Sequence, residues 1–304
     1  MIRKLALLLW YDCNNNCVFC YCDDKKGKWS MSTADAKREL EEGYANGCTF
    51  VDFNGGEPTL RKDILELISH AKRIGYEQIA MTSNGRMFFY KDFCSRVIEA
   101  GLNHVVFSIH GHTPELHDSL TRTAGSYAQV TAGISNMKSL KPDIYICTNT
   151  VITKLNYTAL PQIAENNIRL GVDGCEFIFV HPRGAALANF DKVVPTLTEI
   201  KPYIAETLKV GKDKLKHFAF RYIPGCYVPG YMAFVSEAIA KDTMKEHHVG
   251  PEYRDMDVER GRALVGRVKS KHCELCQYNP HCEGIFKEYA ERRGLSELTP
   301  VGNA

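Results

Sequence analysis

Leu5-Ala6-Leu7-Leu8-Leu9-Trp10-Tyr11-Asp12-Cys13-Asn14-Asn15-Asn16-Cys17-Val18-Phe19-Cys20 carries the first clue to the architecture. Its opening six residues are continuously apolar, as expected of a strand covered on both faces. A polar, cysteine-bearing loop follows at once. The same alternation of apolar run, polar loop and helical stripe then repeats. Ser32 caps a helix with Asp35 at the capping-box position, and Gly47 ends it. Further strands are predicted at 49–53, 78–82, 104–109, 143–151 and 174–180, with helical spacing between them. Six strands alternating with helices predict an α/β fold with a parallel sheet and right-handed crossovers. An open sheet and a partial barrel both satisfy that pattern. Polar groups stand directly after the strands: Asp12-Cys13, Asn54-Gly55-Gly56-Glu57, Ser83-Asn84-Gly85, His110 and His181-Pro182-Arg183. In α/β folds the C-terminal strand edge carries the site, so these groups are expected on one rim.

Composition narrows the function classes. The chain has 304 residues, 44% of them hydrophobic, which suffices to bury a core without disulfides. Its net charge of +2 gives no global field for nucleic acid or an anionic membrane. No apolar run approaches the roughly 20 residues that span a bilayer, and the N-terminal run lacks a signal-peptide cleavage site. A cytoplasmic location, with neither nucleic acid nor membrane as partner, is the expectation. The 12 cysteines are therefore read as metal or redox ligands rather than disulfides.

Cys13, Cys17 and Cys20 form C-x3-C-x2-C. Three thiolates on one loop can hold three corners of an iron–sulfur cube and leave one iron open. Zinc, with Cys22 as fourth ligand, is the alternative. With Phe19 before the third cysteine and Gly55-Gly56-Glu57-Pro58 after the second strand, the sequence resembles the radical S-adenosylmethionine (SAM) superfamily. The resemblance spans about residues 5–184. It implies a partial (β/α)6 TIM-like barrel over residues 1–184, a 4Fe-4S cluster with an open iron, and SAM bound to that iron. Gly55, Gly56 and Glu57 are then candidates to receive the SAM amino group, and Phe19 to face the adenine. Ser83, Asn84, Ser108 and Asn149 stand at strand ends where ribose hydroxyls need partners, each alternatively a turn or strand-end residue satisfying backbone. Arg183 is a candidate for the SAM carboxylate or for a surface ion pair. Cys22 and His110 are candidates for a catalytic role, although the bland reading of His110, His112 and His117 is polar loop histidines.

Cys273, Cys276 and Cys282 form C-x2-C-x5-C, and Cys226 offers a fourth thiol. The set suits a fully ligated cluster or an all-cysteine zinc site. The tail resembles the auxiliary-cluster extension of SPASM and twitch radical SAM proteins, nearer the shorter twitch form. Residues 185–304 are accordingly expected as a small C-terminal auxiliary-cluster domain holding a second 4Fe-4S cluster. A helix near Pro195–Leu208 and a short strand at His217–Tyr222 are predicted; sequence from Pro224 onward reads as loop, His247-His248 included, up to a short helix near Ile285–Arg293. Cys48, Cys94, Cys147 and Cys175 read as core residues. Tyr222, Tyr227, Tyr231 and Tyr253 surround Cys226 in sequence and are candidates to line a cleft.

The resemblance implies reductive cleavage of SAM and hydrogen abstraction from a peptide or small-molecule substrate. The leading expectation is modification of a ribosomally made peptide or protein. The alternative is a dehydrogenase, epimerase or rearrangement enzyme in cofactor or antibiotic biosynthesis. A colourless, zinc-bound interaction module is the non-enzyme alternative. The chemistry calls for an external one-electron reductant of flavodoxin or ferredoxin type. One feature argues against the peptide expectation: the first strand opens the chain and leaves no room for a leader-recognition domain, a role that a separate leader-binding protein could fill.

Overall fold

The computed structural model describes residues 2–302. Strand β1 (Ile2–Leu8) is followed by helix α1 (Thr33–Ala45), whose cap Ser32 accepts from the Asp35 N–H as predicted. Then come β2 (Phe50–Asn54), α2 (Ile64–Ile74), β3 (Gln78–Ser83), α3 (Lys91–Ala100) and β4 (His104–Ser108). Two helices, α4 (Pro114–Thr121) and α5 (Ser126–Leu140), lead to β5 (Tyr145–Ile152), α6 (Leu160–Arg169) and β6 (Gly174–Phe179). These six strands are hydrogen-bonded in sequence order and all parallel.

The unit pattern does not stop at residue 184. Short helices α7 (Gly184–Ala188) and α8 (Phe190–Val193) precede α9 (Leu197–Gly211), closed at its start by a Thr196–Glu199 capping box. Strand β7 (His217–Arg221) then adds to β6 in parallel. The expected boundary at 184/185 thus falls inside a continuous sheet. Beyond it lie α10 (Ser236–Thr243), β8 (Met244–Gly250), β9 (Tyr253–Asp255), α11 (Val258–Gly261), the β10–β11 hairpin (Arg267–Val268 with Ile285–Phe286) and α12 (Lys287–Arg293). Strand β8 pairs in parallel with β1, so the sheet order is β7-β6-β5-β4-β3-β2-β1-β8-β9. His247 and His248, expected in a loop, are therefore strand residues beside Leu5 and Ala6.

The two faces of the sheet differ in chemistry. Leu5, Leu7, Val51, Phe53, Ile79, Met81, Val105, Phe107, Ile146 and Phe177 are buried beneath the helices. The stripe Ile64, Leu67, Ile68 and Ala71 of α2 packs into that layer, each large side chain contributing about 1.5–3 kcal/mol by leaving water. The alternate residues face inward and include charges. Lys4 lies 3.3 Å from Asp52 and 3.5 Å from Glu246. Arg221 lies 3.2 Å from Glu176. Lys4 on β1 also feels Glu176 and Arg221 on β6 and β7. In a flat sheet those strands would stand several strand spacings of about 4.8 Å apart. Their interaction shows that the sheet curls into a partial barrel with a charged interior. Helix α10 packs against both β7 and β8, across the opening between the two sides.

Candidate active site

The loop 10–20 crosses the C-terminal rim and is stitched to four other elements. Gly56 N–H donates to Trp10 O at 2.7 Å and Glu57 N–H to Asp12 O at 2.8 Å. Asn16 and Val18 N–H groups donate to Thr121 and Leu120 carbonyls at the end of α4. Ala185 N–H donates to Cys20 O at 2.9 Å. Arg86, after β3, donates to Asn14 O at 2.5 Å. The sequence reading missed Arg86; a basic residue just past the Ser83-Asn84-Gly85 turn was its only signal.

The glycines of the second loop have a packing use that the sequence reading did not name. A Cβ on Gly55 would lie 2.2 Å from Trp10 O, and one on Gly56 would lie 2.2 Å from Asp12 O. The close approach that requires glycine is therefore to the cysteine loop's own backbone. Glu57 is fully buried, with none of its surface exposed. Its Oε1 accepts from Thr59 N–H at 3.1 Å, Thr59 Oγ1 at 2.7 Å and Ser83 Oγ at 2.8 Å. Its Oε2 accepts from Asn84 N–H at 2.7 Å. Burial pushes its carboxyl pKa up against the pull of these donors. Glu57 thus ties the end of β3 to the turn after β2.

Ser83 and Asn84, proposed from sequence for ribose contacts, are also engaged. Ser83 Oγ serves Glu57 and accepts from Gly85 N–H at 3.0 Å. Asn84 Nδ2 donates to Asn14 Oδ1 at 2.7 Å and approaches Cys13 Sγ at 3.6 Å. Phe19 is buried and meets His110 edge-on at 4.7 Å. His110, in the loop just past β4, is buried rather than exposed: its Nδ1 accepts from Val151 N–H, and burial drives its pKa well down. His117 is buried beside it and accepts from His110 N–H. Cys22 is buried with Leu8 and Tyr11, and burial pushes its thiol up to about 12, unlike an activated thiol. Arg183 pairs with Glu288 at 2.7 Å and so joins the rim to α12. Ser108 and Asn149 are partly exposed neighbours in register on β4 and β5. Their side chains make no hydrogen bond among the described residues, so they remain available to a ligand.

The family-implied groups can be tested against the donors present. Cys13, Cys17 and Cys20 are free thiols at the loop surface, near enough to perturb one another. Cys13 Sγ also receives the Asn15 N–H at 3.4 Å. In the C-terminal part, Cys226, Cys273, Cys276 and Cys282 line one pocket, although Cys226 is distant in sequence. Cys282 Sγ receives the Gly225 and Gly284 N–H groups at 3.4 Å, and Cys276 Sγ receives the Val301 N–H at 3.4 Å. N–H groups aimed at sulfur stabilise ligating thiolates. Among the described residues, no three His, Cys, Asp or Glu side chains converge on a single ion position. The fit therefore rests on donor chemistry, and in both places thiol grouping and N–H supply suit a cluster. Cys48, Cys94, Cys147 and Cys175 are buried, as expected. The four tyrosines do not form one cleft: Tyr227 is buried on Glu297 O, Tyr253 packs near Tyr11, Tyr222 stacks on Arg267, and Tyr231 is exposed beside Phe234.

Residues 7–165, just over half of the chain, match the Radical SAM superfamily model. The chain belongs to the radical SAM superfamily. It is 30% identical over 224 residues to a "Probable GTP 3',8-cyclase" of Saccharolobus solfataricus, covering 73% of this chain and 71% of that protein. It is 31% identical over 232 residues to the PqqA peptide cyclase of Rhodopseudomonas palustris, covering 75% and 59%. The fold is similar to Streptococcus suis SuiB bound to precursor peptide SuiA, at TM-score 0.68 and 16% identity over 98% of this chain and 74% of that one. It is also similar to anSMEcpe with bound AdoMet, at TM-score 0.62 and 12% identity over 99% and 93%. This radical SAM protein is therefore an enzyme whose family implies a 4Fe-4S cluster and SAM. No helix among the described residues is long and apolar enough to cross a membrane.

Proposed function

We propose that this radical SAM enzyme modifies a peptide or protein by abstracting hydrogen from it. In this reading Cys13, Cys17 and Cys20 hold the SAM-binding cluster, and Cys226, Cys273, Cys276 and Cys282 hold a second, fully ligated cluster. When bound, the first cluster and SAM supply a one-electron reductive cleavage that yields a 5′-deoxyadenosyl radical. The chain's own residues orient and enclose. Glu57, Asn84 and Arg86 fix the cysteine loop, Ser108 and Asn149 offer polar contacts, and the curled sheet shields the reacting atoms from water. The second site, with every corner ligated, suits electron transfer rather than substrate binding. Reduction comes from a flavodoxin- or ferredoxin-type donor, and leader recognition from a separate protein.

The observation that carries the peptide reading is the charge balance of the barrel interior. Lys4 and Arg221 each already face carboxylates, among Asp52, Glu246 and Glu176. Glu246 is held well below the usual range by Lys4 despite its burial. A nucleoside triphosphate needs several unpaired cations, and these inward cations are neutralised. A peptide, which presents neutral amides, meets no such demand. The peptide-named relative and the fold shared with a peptide-bound neighbour agree with it. The GTP 3',8-cyclase relatives favour a second reading, cyclisation of a small nucleotide.

The test is anaerobic turnover with SAM and dithionite, comparing a short peptide encoded beside this gene with GTP. Peptide-stimulated 5′-deoxyadenosine together with a mass change in the peptide is expected. Stimulation by GTP and none by the peptide would overturn the peptide reading in favour of the second.

A further inference from the structure

Leu275 is 82% exposed, the most exposed large apolar side chain among the described residues. It stands between Cys273 and Cys276, at the end of a short 3-10 turn over Lys271–Leu275. A second apolar group lies alongside. Tyr231 is 38% exposed, and the N–H of the preceding Gly230 donates to Tyr278 Oη at 2.8 Å. That bond holds the segment bearing Cys226 and Tyr231 against the loop that bears the other three cysteines. Pro280 and Pro300 are exposed too, and Pro300 lines the cysteine pocket. A single exposed leucine is ordinary, whereas apolar side chains gathered around one pocket mark an interaction face.

The elements around that pocket bring lysines to its rim. Lys269 lines it, and its Nζ donates to Asn279 O at 2.9 Å. Lys271 begins the turn that carries Leu275 and is exposed. Lys212, just past α9, lies over the Tyr231 ring at 5.9 Å. Lys241 on α10 donates to Pro280 O at 2.7 Å, with Glu259 at 3.8 Å. Of the other acids nearby, Glu283 is held by Arg262 at 2.9 Å, while Glu274 and Asp213 are exposed. The lysines outnumber the acids left to them, so the rim carries an excess of positive charge. An apolar centre inside a charged rim is the anatomy of a transient interface, and redox encounters use the smallest of these. Rim charges speed encounter with a partner of opposite sign.

We propose that the face around Leu275 is the docking site of an acidic one-electron carrier protein. Its position chooses this occupant. A carrier seated on Leu275 stands directly against the turn that bears Cys273 and Cys276. A fully ligated cluster there offers a partner one electron and no open iron, so a peptide bound at this face would meet no chemistry. A second copy of this chain, related by a two-fold axis, would oppose the same lysines across the contact. The exchange moves one electron and no atoms: the reduced carrier is oxidised by one unit and the site it faces is reduced by one. The inference rests on the second-cluster reading above and gives the carrier of that reading a place to bind.

The test titrates the anaerobically reconstituted full chain with an acidic plant-type 2Fe-2S ferredoxin and maps carbodiimide cross-links by mass spectrometry. Binding is expected at about 20 mM salt and is expected to weaken about tenfold at about 200 mM. Cross-links from the ferredoxin carboxylates are expected at Lys212, Lys269 and Lys271. Affinity should fall about tenfold in Lys212→Glu/Lys271→Glu and in Leu275→Glu, and stay unchanged in Lys91→Glu at the start of α3. Iron content and dithionite-driven 5′-deoxyadenosine formation, which need no docking face, should be unchanged in the two-lysine variant and show that it is folded. Equal affinity in the wild type and both variants, cross-links confined to other lysines, or no binding at either salt would overturn the proposal. Self-association that Leu275→Glu abolishes, or equal occupancy by a short acidic peptide, would assign the face to another occupant and overturn it too. About four irons on the C-terminal thiols without lysine-dependent binding removes this face and leaves the second cluster. Zinc in place of iron on those thiols removes the second-cluster reading, and the electron exchange with it.

Discussion

Glu57 shows how one motif residue can tie several rim loops together. Its carboxylate gathers donors from Thr59, Ser83 and Asn84, and Asn84 in turn reaches Asn14 and Cys13. The chain of contacts runs from the second loop through the third to the cysteine loop. The glycines before it act by being small, since their missing Cβ atoms make room for Trp10 and Asp12 carbonyls. This leads to a specific expectation for Gly56→Ala. The added methyl would sit 2.2 Å from Asp12 O and displace the loop that bears Cys13. Reconstituted iron at the first site should fall by half or more, while iron at the C-terminal site stays, as read by iron analysis per chain. Unchanged iron would mean that the loop's backbone packing does not matter to the cluster. Residue type and position were legible in the sequence here, but direction was not. A Gly-Gly-Glu turn beside a cysteine loop announces a site, whereas which partner the glycines approach depends on tertiary contact alone.

At the scale of elements, the sequence revealed what periodicity can reveal. The six leading strands, the Ser32 cap and the short strand at His217–Arg221 emerge from apolar runs and capping residues. Strand β8 does not, because Met244-Lys245-Glu246-His247-His248-Val249-Gly250 lacks an apolar face. Its inward residues, Glu246 and His248, meet charge in the barrel rather than core. The signal was present in another form: Asp52 and Glu176 interrupt apolar strands, and Lys4 and Arg221 stand at the ends of apolar runs, all at inward positions. Lys4 holds β1, β2 and β8 together by facing Asp52 and Glu246. Lys4→Met would leave buried Asp52 without its ion-pair partner and Glu246 with only the longer contacts to Arg262 at 3.9 Å and His248 at 3.7 Å. Breaking a buried pair in this way costs about 3–5 kcal/mol. Urea unfolding should show that loss in ΔG. A change under about 1 kcal/mol would place the pair in the weak class of exposed salt bridges instead.

Across the whole molecule, two groups of thiols are joined through one packed connection. The cysteine loop meets the C-terminal part through the Arg183–Glu288 pair and the stacked series Tyr21, His181 and Phe286. Burial lowers the His181 pKa to about 3, so that ring is neutral at any ordinary pH. The sheet itself continues past the expected domain boundary into β7 and closes on β1 through β8. The cysteine spacing pointed to two groups, but only the fold brings Cys226 to the other three. In the proposed function each group of thiols holds its own iron–sulfur cluster. The direct measurement is iron and acid-labile sulfide per chain after anaerobic reconstitution, in the wild type, in Cys13/Cys17/Cys20→Ala and in Cys226/Cys273/Cys276/Cys282→Ala. Two cubanes predict about eight irons in the wild type and about four in either variant. About four irons in the wild type, falling to none in the first variant, with zinc bound in the C-terminal pocket, would contradict it.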